Sequence, residues 1–135
     1  YVLRHKGKKT TCEINANGAL RDAARKIFRG AIDFKHGSAG SAGDEKETVL
    51  LLGDDVVNQT VPLILCAEED VAGNHGATIG RLDEDTLLYF ASRGIPEAEA
   101  ADLLSRAIME SLAQKMGDEQ AAEALRSFVT GGEEA

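Results

Sequence analysis

The chain of 135 residues has no tryptophan and only four Phe and two Tyr. Hydrophobic residues still make up 43% of it, so any core must be aliphatic and alanine-rich. A folded chain of this size buries roughly two thirds of the surface its unfolded form exposes, enough for one domain with a real core. No run approaches the roughly 20 apolar residues of a membrane span. Two cysteines, Cys12 and Cys66, cannot build a disulfide framework or a zinc finger. Unpaired thiols suit a reducing compartment, so a cytoplasmic location is expected. Fourteen glycines without a three-residue period exclude collagen. The P-loop pattern, GxSxG, HExxH and CxxC are all missing, and with them four well-understood routes to catalysis.

What is present is acidic overall, with a net charge of −8, but unevenly so. Residues 1–43 carry a net +6 and residues 44–135 a net −14. The halves should attract each other or a partner. The basic residues Lys6, Lys8, Lys9, Arg21, Arg25, Lys26 and Arg29 are scattered, with only Phe28 nearby to stack on a base. Neither a nucleic-acid nor a membrane partner is expected. Tyr1-Val2-Leu3-Arg4-His5 begins mid-pattern, without an initiator Met or an apolar leader, as a piece of a longer chain would.

Through the first half the apolar period is two. Thr10, Cys12, Ile14 and Ala16 share one face, and Asn17-Gly18 then offers a tight turn. Phe28, Gly30, Ile32 and Phe34 oppose Ile27, Arg29, Ala31 and Asp33. Gly37–Gly43 is all small residues and is expected to be a mobile loop. Val49–Leu52 and Val61–Cys66 are short apolar strands, and Val71, Gly73, His75, Ala77 and Ile79 share one side of another. Such a series means a sandwich, a barrel or a solenoid. The spacing suits rungs of a β-helix, although no sequence repeat accompanies it.

After Gly80 the period becomes helical. Asp83 is a candidate N-cap with Glu84 and Asp85 in the first turn, and Arg93-Gly94 closes that helix. Pro96-Glu97 opens a second, with an apolar stripe at Ala100, Leu103, Leu104, Ala107, Ile108 and Leu112. Met116-Gly117 stops it, and Asp118 caps a third carrying Ala121, Leu125, Phe128 and Val129. The expected organisation is a β body over 1–82, helices over 83–130 and a disordered tail over 131–135.

His5 and His36 read as solvent-facing. His75, in Asn74-His75-Gly76-Ala77-Thr78-Ile79-Gly80, is either a hydrogen-bonded cap at a strand–helix junction or a metal ligand assisted by Glu68, Glu69, Asp70 or Asp83. Cys12 and Cys66 read as buried, inert thiols.

The stretch Val71–Ile95 carries HGATIGRLD, then a Leu-Leu-Tyr-Phe helix ending in Ser92-Arg93-Gly94-Ile95. With Phe28-Arg29-Gly30, Thr48–Leu52 and Pro62–Leu65 upstream in the same order, it resembles the SufB/SufD family of iron–sulfur cluster assembly proteins, nearer to SufD, over about residues 25–112. The resemblance implies a right-handed parallel β-helix followed by a helical segment. It also implies a complex with a SufB-like sister subunit, or a second copy of this chain, and with the ABC-type ATPase SufC docked by the helices. A transient iron–sulfur cluster would form at the subunit interface, with His75 in the place of the SufD histidine. Leu87, Leu88, Tyr89 and Phe90 cannot all face one core, so with Arg93 they are candidates to meet a partner. SufD relatives often carry Cys where this chain has Gly73, and that thiol is missing here. The chain also lacks much of a typical member's length.

The function expected is therefore a non-catalytic scaffold or partner subunit. The alternatives are a metal-dependent hydrolase using His75 with Asp83 or Glu84, and a purely structural interaction module.

Overall fold

The computed structural model describes residues 1–131. Six strands come first: β1 (Val2–His5), β2 (Thr11–Arg21), β3 (Arg25–Phe34), β4 (Ser41–Leu52), β5 (Val57–Cys66) and β6 (Val71–Gly80). Three helices follow: α1 (Glu84–Ser92), α2 (Glu97–Ala113) and α3 (Glu119–Gly131). The body is thus mainly β with a helical end, as the periodicities indicate.

Successive strands alternate between two sheets, ordered β1-β3-β5 and β2-β4-β6, and every pairing is parallel. Val2 pairs with Ala31, Thr11 with Ala42, Arg25 with Val57 and Ser41 with Val71. Neither sheet closes on itself.

The core lies between the sheets. Ile14 of β2 meets Phe28, Ile32 and Phe34 of β3, with Cys12, Ala16, Ile64 and Val71 packed against them. Cys12, Ile14 and Ala16 share one face of β2, and Phe28, Ile32 and Phe34 one face of β3, as their alternation indicates. Two turns use left-handed backbone at non-glycine residues, Lys9 and Asp22. A Cβ on Gly53 would lie 2.6 Å from the Asp22 carbonyl, so the stacked turns require glycine there.

Two segments expected to turn or loop do not. Asn17-Gly18 does not turn the chain but lies inside β2, paired with Thr48 and Val49. The inter-strand ladder overrides the local turn preference. Nor is Gly37–Gly43 a mobile loop throughout. Ser41 begins β4, Ser38 and Ser41 are buried, and their hydroxyls donate to Lys35 O (2.7 Å) and Gly7 O (3.2 Å). Small side chains are what allow the backbone to close over the end of the core.

The helices form where the caps indicate. Asp83 accepts a 2.6 Å hydrogen bond from the Thr86 N–H, and Asp118 accepts one of 3.1 Å from Ala121. Hydrogen bonds from Thr86 hold the Asp83 carboxyl below the usual carboxylate range. The stabilising effect of that cap is therefore present above the ordinary carboxylate pKa and is lost as the pH falls through the depressed value. Gly94, at φ 78°, ends α1. The second helix contacts β2, where Arg21 pairs with Asp102 and donates to Ser105 Oγ at 3.1 Å. Arg21 belongs to the basic half and Asp102 to the acidic half, so the charge asymmetry is used within the chain. Of the stripe on α2, Ala100 is buried but Leu103 is 44% exposed. Gly131, expected in the disordered tail, belongs to α3; the rest of that tail, 132–135, lies outside the described residues. No helix among the described residues is long and apolar enough to cross a membrane.

Candidate functional site

Between the sheets the side chains are not all apolar. The fourth strand sends Ser41, Gly43, Glu45, Glu47 and Val49 inward, and all five are buried. Glu47 has partners: Lys26 Nζ of β3 donates to one carboxylate oxygen and Thr60 Oγ1 of β5 donates to the other at 2.6 Å. Lys26 also donates to Asn58 Oδ1 at 3.2 Å and sits 5.2 Å from the Phe28 ring centroid. Glu45, two residues earlier, has no hydrogen-bond partner for either oxygen among the described residues, although its side chain is wholly buried.

His75 is the neighbour of Glu45. The β4–β6 register places the two side by side, and His75 Nδ1 lies 3.8 Å from Glu45 Oε1. That is ion-pair contact, longer than a hydrogen bond. The His75 side chain is 27% exposed because β6 is an edge strand, so the imidazole joins the closed interior to the surface. Across β3, a Cβ on Gly30 would fall 2.5 Å from the Glu45 carboxyl atoms. The absence of a side chain at Gly30 is what gives that carboxylate its place.

At Gly73 an added Cβ would meet Ile64 Cγ2 at 2.7 Å and Phe34 Cε2 at 3.3 Å. Larger residues opposite fill the space, so a cysteine there would require Ile64 to move.

The other candidates lie elsewhere. Asp83 is occupied as the α1 cap, and Glu68 accepts from Gly37 N–H at 3.0 Å. Among the described residues, no three His, Cys, Asp or Glu side chains come together as a metal site. Neither Glu69, Asp70 nor Glu84 therefore joins His75 in such a group. A hydrolytic metal centre built on His75 has no set of three protein ligands here.

His36 is exposed, as expected, but His5 is not. It is buried, its ring stacks on Phe34 at 4.7 Å, and its nitrogens contact Thr10 Oγ1 (2.5 Å) and Cys12 Sγ (3.0 Å). The register of β1 on β3 draws it in beside Phe34. Cys12 is half-buried, and burial, aided by the nearby Asp44 carboxylate, raises its thiol pKa while a backbone hydrogen bond at Asp44 opposes the rise. It is a poor nucleophile. Cys66 is exposed rather than buried, because it ends the edge strand β5. Along α1, Leu88 (70%) and Tyr89 (57%) are exposed while Leu87 and Phe90 are half-buried, and Arg93 lies 5.3 Å from the Tyr89 ring centroid.

Sequence reasoning missed Glu45 and Glu47. The signal available was register: Gly43, Glu45 and Glu47 stand about thirty residues before Gly73, His75 and Ala77, on the same side of neighbouring strands.

Residues 1–108 match the family described as "SUF system FeS cluster assembly, SufBD core domain". The iron–sulfur cluster assembly protein SufD of Bacillus subtilis is 35% identical over 100 residues, covering 74% of this chain and 23% of that protein. SufD of Escherichia coli is 31% identical over 100 residues, covering 74% of this chain and 24% of that protein. An iron–sulfur cluster assembly SufBD family protein of Mycobacterium leprae is 30% identical over 121 residues, 90% of this chain and 14% of that protein. The chain thus spans a quarter or less of the length of these relatives.

Proposed function

Because the chain belongs to the SufBD core family of the SUF iron–sulfur cluster assembly system, closer to SufD, we propose that it is a non-catalytic scaffold or partner subunit of that machinery. It contributes His75 to the interface where a nascent cluster is built and meets an ABC-type ATPase of the SufC kind through its helices. The observation that carries the reading is His75 itself, set on an edge strand and backed by a buried carboxylate. An imidazole on an edge strand can be shared with a second chain, and since at most two donors gather there among the described residues, the remaining ligands would come from that chain. The cluster is cargo, held transiently between subunits. The second chain is a SufB-like subunit or another copy of this one, and the setting is cytoplasmic.

The alternation of strands between two sheets supports reading 1–82 as rungs of a β-helix, with 83–130 as a helical unit on its end. On α1, exposed Leu88 and Tyr89 offer an apolar face to the ATPase. ATP-driven movement of these helices would then change how the His75 interface opens.

Binding of the chain to its organism's SufC-type ATPase, followed by calorimetry and size exclusion, tests the docking. Association at micromolar Kd or tighter is expected, weakened at least about tenfold by the pair Leu88→Ser and Tyr89→Ser, an effect of about 1.4 kcal/mol. Both residues are exposed, so the far-UV spectrum should not change. Equal binding by the variant, or none by the parent chain, contradicts the docking face.

A further inference from the structure

Among the described residues, the carboxylate of Glu45 is buried without a hydrogen-bond partner for either oxygen. An unpaired carboxylate in such a place is unfavourable. Its strand neighbour Glu47, equally buried, has two donors. The polar contact the structure gives Glu45 is with the His75 imidazole, whose Nδ1 lies 3.8 Å from Oε1. Gly30 leaves the space in which the carboxylate stands.

We propose that Glu45 is a positioning residue for His75. It takes the Nδ1–H of the imidazole, fixing both ring orientation and tautomer, so that the lone pair on Nε2 is the one offered to a partner. The proposal requires the part-exposed imidazole to rotate so that Nδ1 closes from 3.8 Å to hydrogen-bond distance. An imidazole tautomer is set by the hydrogen bond its other nitrogen makes, and a carboxylate behind a ligating histidine raises its basicity and holds its plane. The proposal deepens the reading of His75 as an interface residue and rests on it for its purpose. The geometry itself does not need that reading.

The test is made on the 135-residue chain with ¹⁵N-labelled histidine, without iron or partner. Long-range ¹H–¹⁵N correlations, recorded at alkaline pH with the rings neutral, give the tautomer of each histidine. The His75 signals are assigned by their loss in His75→Ala. The expected result is a His75 ring protonated at Nδ1. Glu45→Met should return it to the Nε2–H form that imidazole side chains prefer in water. Glu45→Gln keeps a carbonyl oxygen as acceptor and should retain part of the Nδ1–H population. A merely structural role for Glu45 would leave the tautomer alone whatever happened to the melting temperature. A wild-type ring protonated at Nε2, or a tautomer unchanged in Glu45→Met, overturns the proposal. If Glu45→Met does not fold, Glu45→Gln decides: a partial move towards the Nε2–H form supports the proposal, and a tautomer unchanged from wild type overturns it. Normal cluster assembly by His75→Ala would remove the functional reading while leaving the tautomer result standing, so the two failures are distinguishable.

Discussion

Replacing Glu47 with alanine is expected to cost the chain about 3 kcal/mol of folding stability, the lower end for breaking a buried ion pair. The carboxylate is wholly buried and joins three strands, since Lys26 comes from β3 and Thr60 from β5 while Glu47 itself is on β4. Without it, the Lys26 ammonium, on a side chain only 23% exposed, keeps Asn58 Oδ1 and the Phe28 ring. Thr60 loses its acceptor. The lysine can partly turn towards water, which is why the lower end applies. Urea unfolding followed by far-UV circular dichroism measures the change. A loss under about 1 kcal/mol would place this link among the weak surface pairs.

The same measurement on Glu45→Met should give the opposite sign, a gain of about 1 kcal/mol, because one hydrogen bond to a part-exposed imidazole does not offset the desolvation of a wholly buried carboxylate. Methionine has nearly the volume of glutamate and adapts to irregular space. It can lie over Gly30 and beside Ile14, the residue that pairs with Glu45 on the β2 side. The stability gained would come from removing a group that the fold does not use. Opposite signs two residues apart on one strand separate a structural carboxylate from a functional one. A loss of stability in Glu45→Met would mean that the carboxylate is held by interactions of its own.

The apolar parts of the fold were legible because their period is visible. Phe28, Ile32 and Phe34 alternate in sequence and meet in the core, and Asp83 and Asp118 cap helices where the pattern changes. The polar interior was not legible. From Ser41 to Thr48 the strand β4 has inward residues as polar as its outward ones, so hydropathy carries no period there. The first strand, Val2–His5, is too short to show one, which is why His5 was read as facing solvent when it is packed on Phe34. Cys66 failed for another reason. An apolar strand looks buried in sequence, but its burial depends on whether another strand covers it, and β5 is at an edge.

For the candidate site, His75 stood out through the HGATIGRLD segment, whereas Glu45 emerges only when β4 and β6 are set in register. The division of labour along α1 was partly readable. Four consecutive large side chains on a helix cannot share one face, and Leu88 and Tyr89 are the two left exposed.

The most direct measurement is cluster reconstitution by the chain together with the proposed partners, a SufC-type ATPase and a SufB-like subunit, comparing the parent chain with His75→Ala. Complex formation is checked by size exclusion and cluster formation by visible absorbance under anaerobic conditions. The expected result is an intact complex whose cluster formation falls to the background level. Cluster formation at the parent rate by the His75→Ala complex would contradict a role for His75 at the assembly interface.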